Sequence, residues 1–116
     1  MFIMKELYHF VLDNIFNKFI EDDSEFVKVI DNYSGDVHIA SDTLIFTLPA
    51  LFKLACVLYQ KHTDVEIVAE DTDYLSFRKA LYNNPTNTIL KERKGIVEVE
   101  LSNDDHNLST YKLSRL

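Results

Sequence analysis

The chemistry available to this chain lies mostly in its carboxylates. They gather at residues 21–25 (EDDSE), 70–73 (EDTD) and 103–105 (NDD). Carboxylates cap helix N-termini and favour turns, and these local duties account for most of them. The middle group holds more acids than capping requires. Glu70, Asp71 and Asp73 come just after Glu66, which sits in a stretch of strand character, and Tyr74 follows at once. Paired carboxylates beyond the end of a parallel strand can do general acid–base work where a pocket holds them. An acidic patch with a tyrosine suits a basic protein partner at least as well, because charge steers the encounter and the ring anchors it. Glu66, Glu70, Asp71, Asp73 and Tyr74 are therefore the predicted partner-binding set.

Other chemistries find less support. The single cysteine, Cys56, sits among Ala55, Val57 and Leu58 on a helical stretch, where a thiol is a packing group. His9 and Asp13 stand one helical turn apart, and His62 is close to Asp64, but two ligands do not make a metal centre, so no metal is expected. Phosphate-binding loops need closely spaced glycines, and the chain has only Gly35 and Gly95. No G-x-S-x-G elbow is present. These patterns leave no catalytic residue and no cofactor to nominate. The basic stretch KERK at 91–94, with Arg78 and Lys79, lacks the interleaved aromatics that stack nucleic-acid bases and reads as solvated surface.

Composition narrows the class. The chain has 116 residues, one domain's worth, and 47% of them are hydrophobic, enough for a core. Its net charge is −7, which repels a phosphate backbone and attracts a basic partner. One cysteine allows no internal disulfide, and the first ten residues, MFIMKELYHF, do not have the order of a signal peptide, so the expected compartment is the cytoplasm.

These residues must be held by elements legible in the apolar periodicity. Met4, Leu7, Tyr8, Val11, Ile15 and Phe19 predict a helix over 3–20. Asp22 then reads as the N-cap of a helix over 23–33, with Gly35 as its left-handed stop. The greasiest run, 44–59, falls short of the about 20 residues that span a bilayer, and Lys53 interrupts it. Cut at Pro49, it becomes a strand over 43–46 and a buried helix over 48–62 capped by Thr47. VHIA (37–40) and TLIF (43–46) can form a hairpin, although their turn lacks glycine. VEIVA (65–69) reads as a strand completing a βαβ crossover, and 73–83 as a helix stopped by Asn83, Asn84 and Pro85. Tyr74, Phe77 and Leu81 should face inward there, and Ser76, Arg78 and Lys79 outward. The remainder reads as β: TILKER, a Lys94-Gly95 turn, IVEVELS with Val97, Val99 and Leu101 alternating against Glu98 and Glu100, a polar loop, and LSTYKLS.

The expected architecture is a single α+β domain over 1–116: a mixed, mainly antiparallel sheet with a C-terminal β-meander, packed against N-terminal and central helices. The function this implies is a non-enzymatic, acidic protein-binding module of the immunity-protein, antitoxin or phage-inhibitor kind, which occludes a basic surface on a toxin or nuclease. Nucleic acid and membrane are not expected partners. Two alternatives remain. One is a small-ligand site or enzyme between helices and sheet, with His9 or His62 as base. The other is a homo-oligomeric accessory protein, for instance a homodimer through an edge strand, the C-terminal strand ending at Leu116 being the candidate.

Overall fold

The first helix forms where the apolar stripe predicts it. The computed structural model describes residues 4–33, 35–64, 71–105 and 108–116, with the backbone alone at 4, 5, 71 and 72. α1 comprises Met4–Val11, a π-helical stretch Leu12–Phe16 and Asn17–Ile20. Leu7, Tyr8, Val11, Leu12, Ile15, Phe16 and Phe19 are all buried along it. The wider π turn leaves room at the Leu12 carbonyl for a second donor, Arg93 Nη1 at 3.3 Å, which also pairs with Asp13 at 2.7 Å. α1 ends in a Schellman turn: Asp23 N–H donates to Lys18 O and Asp22 N–H to Phe19 O, with Asp22 at φ 57° where glycine is usual.

That turn moves the next cap by one residue. Asp22 terminates α1, so Asp23 caps α2 (Ser24–Asp31), its carboxylate accepting from Phe26 N–H at 2.9 Å. The predicted glycine stop is also corrected. Gly35 does not have positive φ; a Cβ there would meet the outer end of the Tyr33 ring, which would have to move aside. β1 (Val37–Ala40) and β2 (Thr43–Thr47) form the hairpin without glycine, because Ser41 and Asp42 both accept left-handed φ values, 51° and 61°.

α3 (Leu48–Thr63) follows directly. Thr47 Oγ1 accepts from Ala50 N–H, Pro49 lies in the first turn, and Lys61 and His62 fall in the last. Its buried side presents Leu51, Phe52, Leu54, Ala55 and Cys56. Lys53, Val57 and Lys61, at i, i+4 and i+8, make a solvent stripe, so the helix is less completely buried than its composition predicts. The expected strand at 65–69, and with it the βαβ crossover, lies outside the described residues. No helix among those described is long and apolar enough to cross a membrane.

α4 (Asp71–Asn83) buries Phe77 and stops at Asn84 and Pro85. The TILKER segment is not a strand: α5 (Thr86–Glu92) is helical, with Leu90 fully buried. Tertiary packing overrides the β-branched Thr88 and Ile89 there. Lys94, at φ 70°, ends that helix in the left-handed region and turns the chain into β3 (Gly95–Leu101), so the expected hairpin turn is a helix stop.

β4 (Thr110–Arg115) completes an antiparallel sheet of order β1-β2-β4-β3, with the helices on one face. The C-terminal strand is thus interior, and among the described strands β1 and β3 form the two edges. Two rows of side chains cross the helix-facing side: Val37, Phe46, Tyr111 and Val99, and beside them Ile39, Leu44, Leu113 and Val97. These rows short of Val99, the α1 and α3 stripes, and Phe26, Ile30, Phe77 and Leu90 make the core. The Cα radius of gyration, 13.3 Å, is that of one compact body of this length, for which about 13 Å is expected.

Candidate functional site

A row of the sheet that is left unfinished defines the site. Val37 and Phe46 are fully buried, Tyr111 is 9% exposed, and Val99, the next in line, is 54% exposed. Beyond Val99 the sheet has no further described strand. The helix-facing side of the sheet is covered over β1, β2 and β4 and becomes open at β3.

The main chain of β3 is handled residue by residue. The Asn87 side-chain amide, from α5, donates to Val97 O at 2.9 Å and accepts from Val97 N–H at 2.8 Å. Both Val97 groups therefore point away from β4. Antiparallel strands alternate inward and outward pairs of such groups, so Val99 presents its own N–H and C=O outward as well. Among the described residues none beyond the sheet bonds to the Val99 main chain. Asn87 thus substitutes for a neighbouring strand at one position and stops short of the next. Past Val99 the register shifts, and Glu100 and Leu101 together oppose Thr110, whose hydroxyl bonds Glu100 Oε2 at 2.6 Å. Such a bulge re-aims side chains, and Leu101 ends 64% exposed instead of facing the core as strict alternation predicts.

Under this edge lies a cleft of about 170 Å³ between α4, α5 and the sheet, floored by Phe16, Phe46 and Leu48 and walled by Leu81, Val97 and Val99. Its lip is polar. Tyr82, 55% exposed on α4, meets the Tyr111 hydroxyl at 2.5 Å. Burial, reinforced by that bond, pushes the Tyr111 phenol up to about 12. Behind the cleft, the Tyr8 hydroxyl lies 2.8 Å from Thr86 Oγ1, which donates to Leu81 O. The α4–α5 junction is thereby tied to α1, and the cleft wall is held in place.

The loop after β3 is also pinned. Buried Ser109 Oγ accepts from Asn103 N–H at 2.9 Å and donates to Asn103 O at 3.1 Å, while Asn103 Oδ1 takes Asp105 N–H. Asp104 and Asp105 are thereby fixed beyond the acidic end of β3, where Glu98 and Glu100 are exposed.

The predicted acidic set is placed only in part. Glu66 and Glu70 lie outside the described residues, and Asp71 is described as backbone at the start of α4. Asp73 and Tyr74 are half-buried and lean on α3. Tyr74 meets Phe52 edge to face at 5.7 Å, and the Arg78 guanidinium lies 5.8 Å from the centre of the Tyr74 ring. Burial raises the Tyr74 phenol, and Arg78, by charge and hydrogen bond, opposes the rise. Arg78 is therefore half-buried beside Tyr74 instead of fully outward. Burial, with the negative charge of Asp73, pushes the Cys56 thiol up to about 11. His9 and His62 stand beside aromatic rings, Tyr8 and Phe10 respectively. Among the described residues no group of three or more His, Cys, Asp or Glu is arranged to hold a metal.

Sequence reasoning missed Asn87, Tyr82 and Tyr111, and missed that β3 is an edge among the described strands. The alternation at 97–101 was visible, but it fits an inner strand as well as an outer one. No protein-family model matches this chain, and no curated protein or solved structure does.

Proposed function

We propose that the protein works by binding another protein, taking an extended segment of its partner along the open edge of β3. The observation that carries this reading is Val99: its main chain is turned outward and its side chain ends a core row at the mouth of an apolar cleft. Strand addition of this kind draws affinity from main-chain hydrogen bonds and specificity from pockets for alternate side chains. The −7 net charge and the carboxylates of Glu98, Glu100 and Asp104 favour a basic partner. Covering a basic surface, as an immunity protein or antitoxin does, is the form of the function that this charge favours.

The alternative of an enzyme or small-ligand site has less support. This cleft, at about 170 Å³, is below the roughly 300–1,000 Å³ usual for small-molecule sites, and the wider ones elsewhere, of about 590, 460 and 360 Å³, are open to solvent. Its hydroxyl pair includes a phenol titrating near 12, which stays protonated at neutral pH and is no general base.

A photo-crosslinking side chain tests the proposal. Placed at Leu101 beside the edge, and separately at Lys61 on the far solvent stripe, it is exposed to extract of the native host. The expected result is a discrete adduct from position 101 alone that fades as salt rises. Equal labelling from both positions, or none from 101, overturns the reading.

A further inference from the structure

We infer that the segment taken up at this edge has the pattern basic–apolar–basic and comes from a different protein, not from a second copy of this chain. The inference rests on the edge of β3 being the docking surface, as proposed above. A strand laid beside β3 puts the residue opposite Val99 on the helix-facing side and its two neighbours on the other side. On the first side it continues the row Val37, Phe46, Tyr111, Val99, next to Tyr82 and over the cleft. The cleft, at about 170 Å³, is close to the ~150 Å³ of an apolar cavity that accepts a benzene-sized group. One leucine- or phenylalanine-sized side chain is the occupant it fits.

On the other side the flanking residues meet Glu98 and the bulged Glu100, with Asp104 following in the loop. The cation across from Glu98 is Lys112, already on β4, while Arg93 and Lys94 lie at the opposite end of β3. Lysine or arginine at the two flanking positions matches this surface. The β3 strand of a second copy does not. Two β3 strands paired antiparallel about Val99 would set Glu98 of each directly opposite Glu100 of the other, and like charges so placed destabilise a ladder. Moving the pairing centre back to Val97 meets the Asn87 amide, which already occupies both main-chain groups there.

Three capped peptides make the test, each titrated into the whole chain with amide exchange read by NMR. The first is Thr-Thr-Lys-Leu-Lys-Thr-Thr; the second has glutamate for both lysines; the third has serine for leucine. The expected result is that the first binds about tenfold more tightly than the second at low salt, the preference of two rim charges reversed. That advantage shrinks as salt rises, and binding slows exchange at the Val99 amide. The serine peptide binds more weakly, and the double variant Glu98→Lys, Glu100→Lys prefers the glutamate peptide. If peptides of either charge protect Val99 equally, the edge reading survives and the basic occupant is overturned. If they bind without protecting Val99, the edge reading falls and this inference with it. No binding at millimolar peptide overturns the inference. So does a sedimenting dimer with a protected Val99 amide, which assigns the edge to a second copy.

Discussion

Asn87→Ala isolates the device that sets how much of β3 is open. The change deletes two hydrogen bonds to Val97, at 2.9 and 2.8 Å. Each is worth about 0.5–1.5 kcal/mol net, and at an exposed side chain the low end applies, because water replaces the lost partner. The gross loss is therefore about 1 kcal/mol. Alanine returns up to about 0.5 kcal/mol through helix propensity, since Asn87 lies in the first turn of α5. The net loss of about 0.5–1 kcal/mol lowers the melting temperature by roughly 2–4 °C in a domain of this size. A shift that small does not identify its cause, whereas amide exchange does. The Val97 amide should exchange about two- to fivefold faster in Asn87→Ala, moving towards Val99, a change equivalent to about 0.5–1 kcal/mol of local protection. Asn87→Asp keeps the acceptor for Val97 N–H and loses the donor to Val97 O, so its Val97 amide should stay slow. If Ala and Asp leave Val97 equally protected, Asn87 does not close the edge, and the contrast with Val99 is without foundation.

Two further outcomes follow from the shifted groups. Tyr111 titrates near 12 when folded and near its ordinary value of 10 when unfolded, so its contribution to stability is complete below about pH 10 and is lost as pH rises towards 12. Tyr82→Phe removes the hydrogen bond and should draw the Tyr111 titration, followed by NMR of labelled tyrosine, back towards 10; an unmoved titration denies the hydroxyl pair any part in the shift. Cys56, with its thiol at about 11, should react with a maleimide at pH 7 far more slowly than a free thiol, and Asp73→Asn should speed that reaction by lifting the smaller of the two causes. A rate for Asp73→Asn equal to that of the parent chain would place Asp73 too far from the thiol to act on it.

What the sequence made legible was what local residues decide. Thr47 and Pro49 place the start of α3 because a cap and an N-terminal proline act within one turn of the bonds they affect. Asp22 was misread by one position because the same short acidic stretch both ends α1 and begins α2, and either aspartate is chemically able to cap. TILKER failed for a different reason. Thr88 and Ile89 favour strand locally, but Leu90 gains a fully buried place in the core only when the segment is helical. Strand order is the least local property of all. β4, last in sequence, inserts between β2 and β3, and nothing within residues 95–101 records that. An edge cannot be read from a strand's own alternation, so the candidate site was out of reach even though β3 itself had been assigned as a strand.

An open edge is hazardous to a soluble chain, because any extended segment with free main-chain groups can add to it, including another copy. β3 meets that hazard in three ways along seven residues. Asn87 fills the ladder at Val97, the bulge at Glu100 ends the regular register after Val99, and Glu98 and Glu100 set like charges against a twin strand. Yet the position between clamp and bulge keeps its main chain outward, with an apolar cleft beneath it. A strand needing only protection would gain from a lysine or proline at Val99, which would close the gap. Valine there, on a row whose other members are core residues, leaves a single position where, on the proposed reading, a partner's side chain would complete the sheet. On the proposed reading, the acids that would repel a second copy would also attract a basic segment, so one arrangement of charge would both protect the edge and select what it admits.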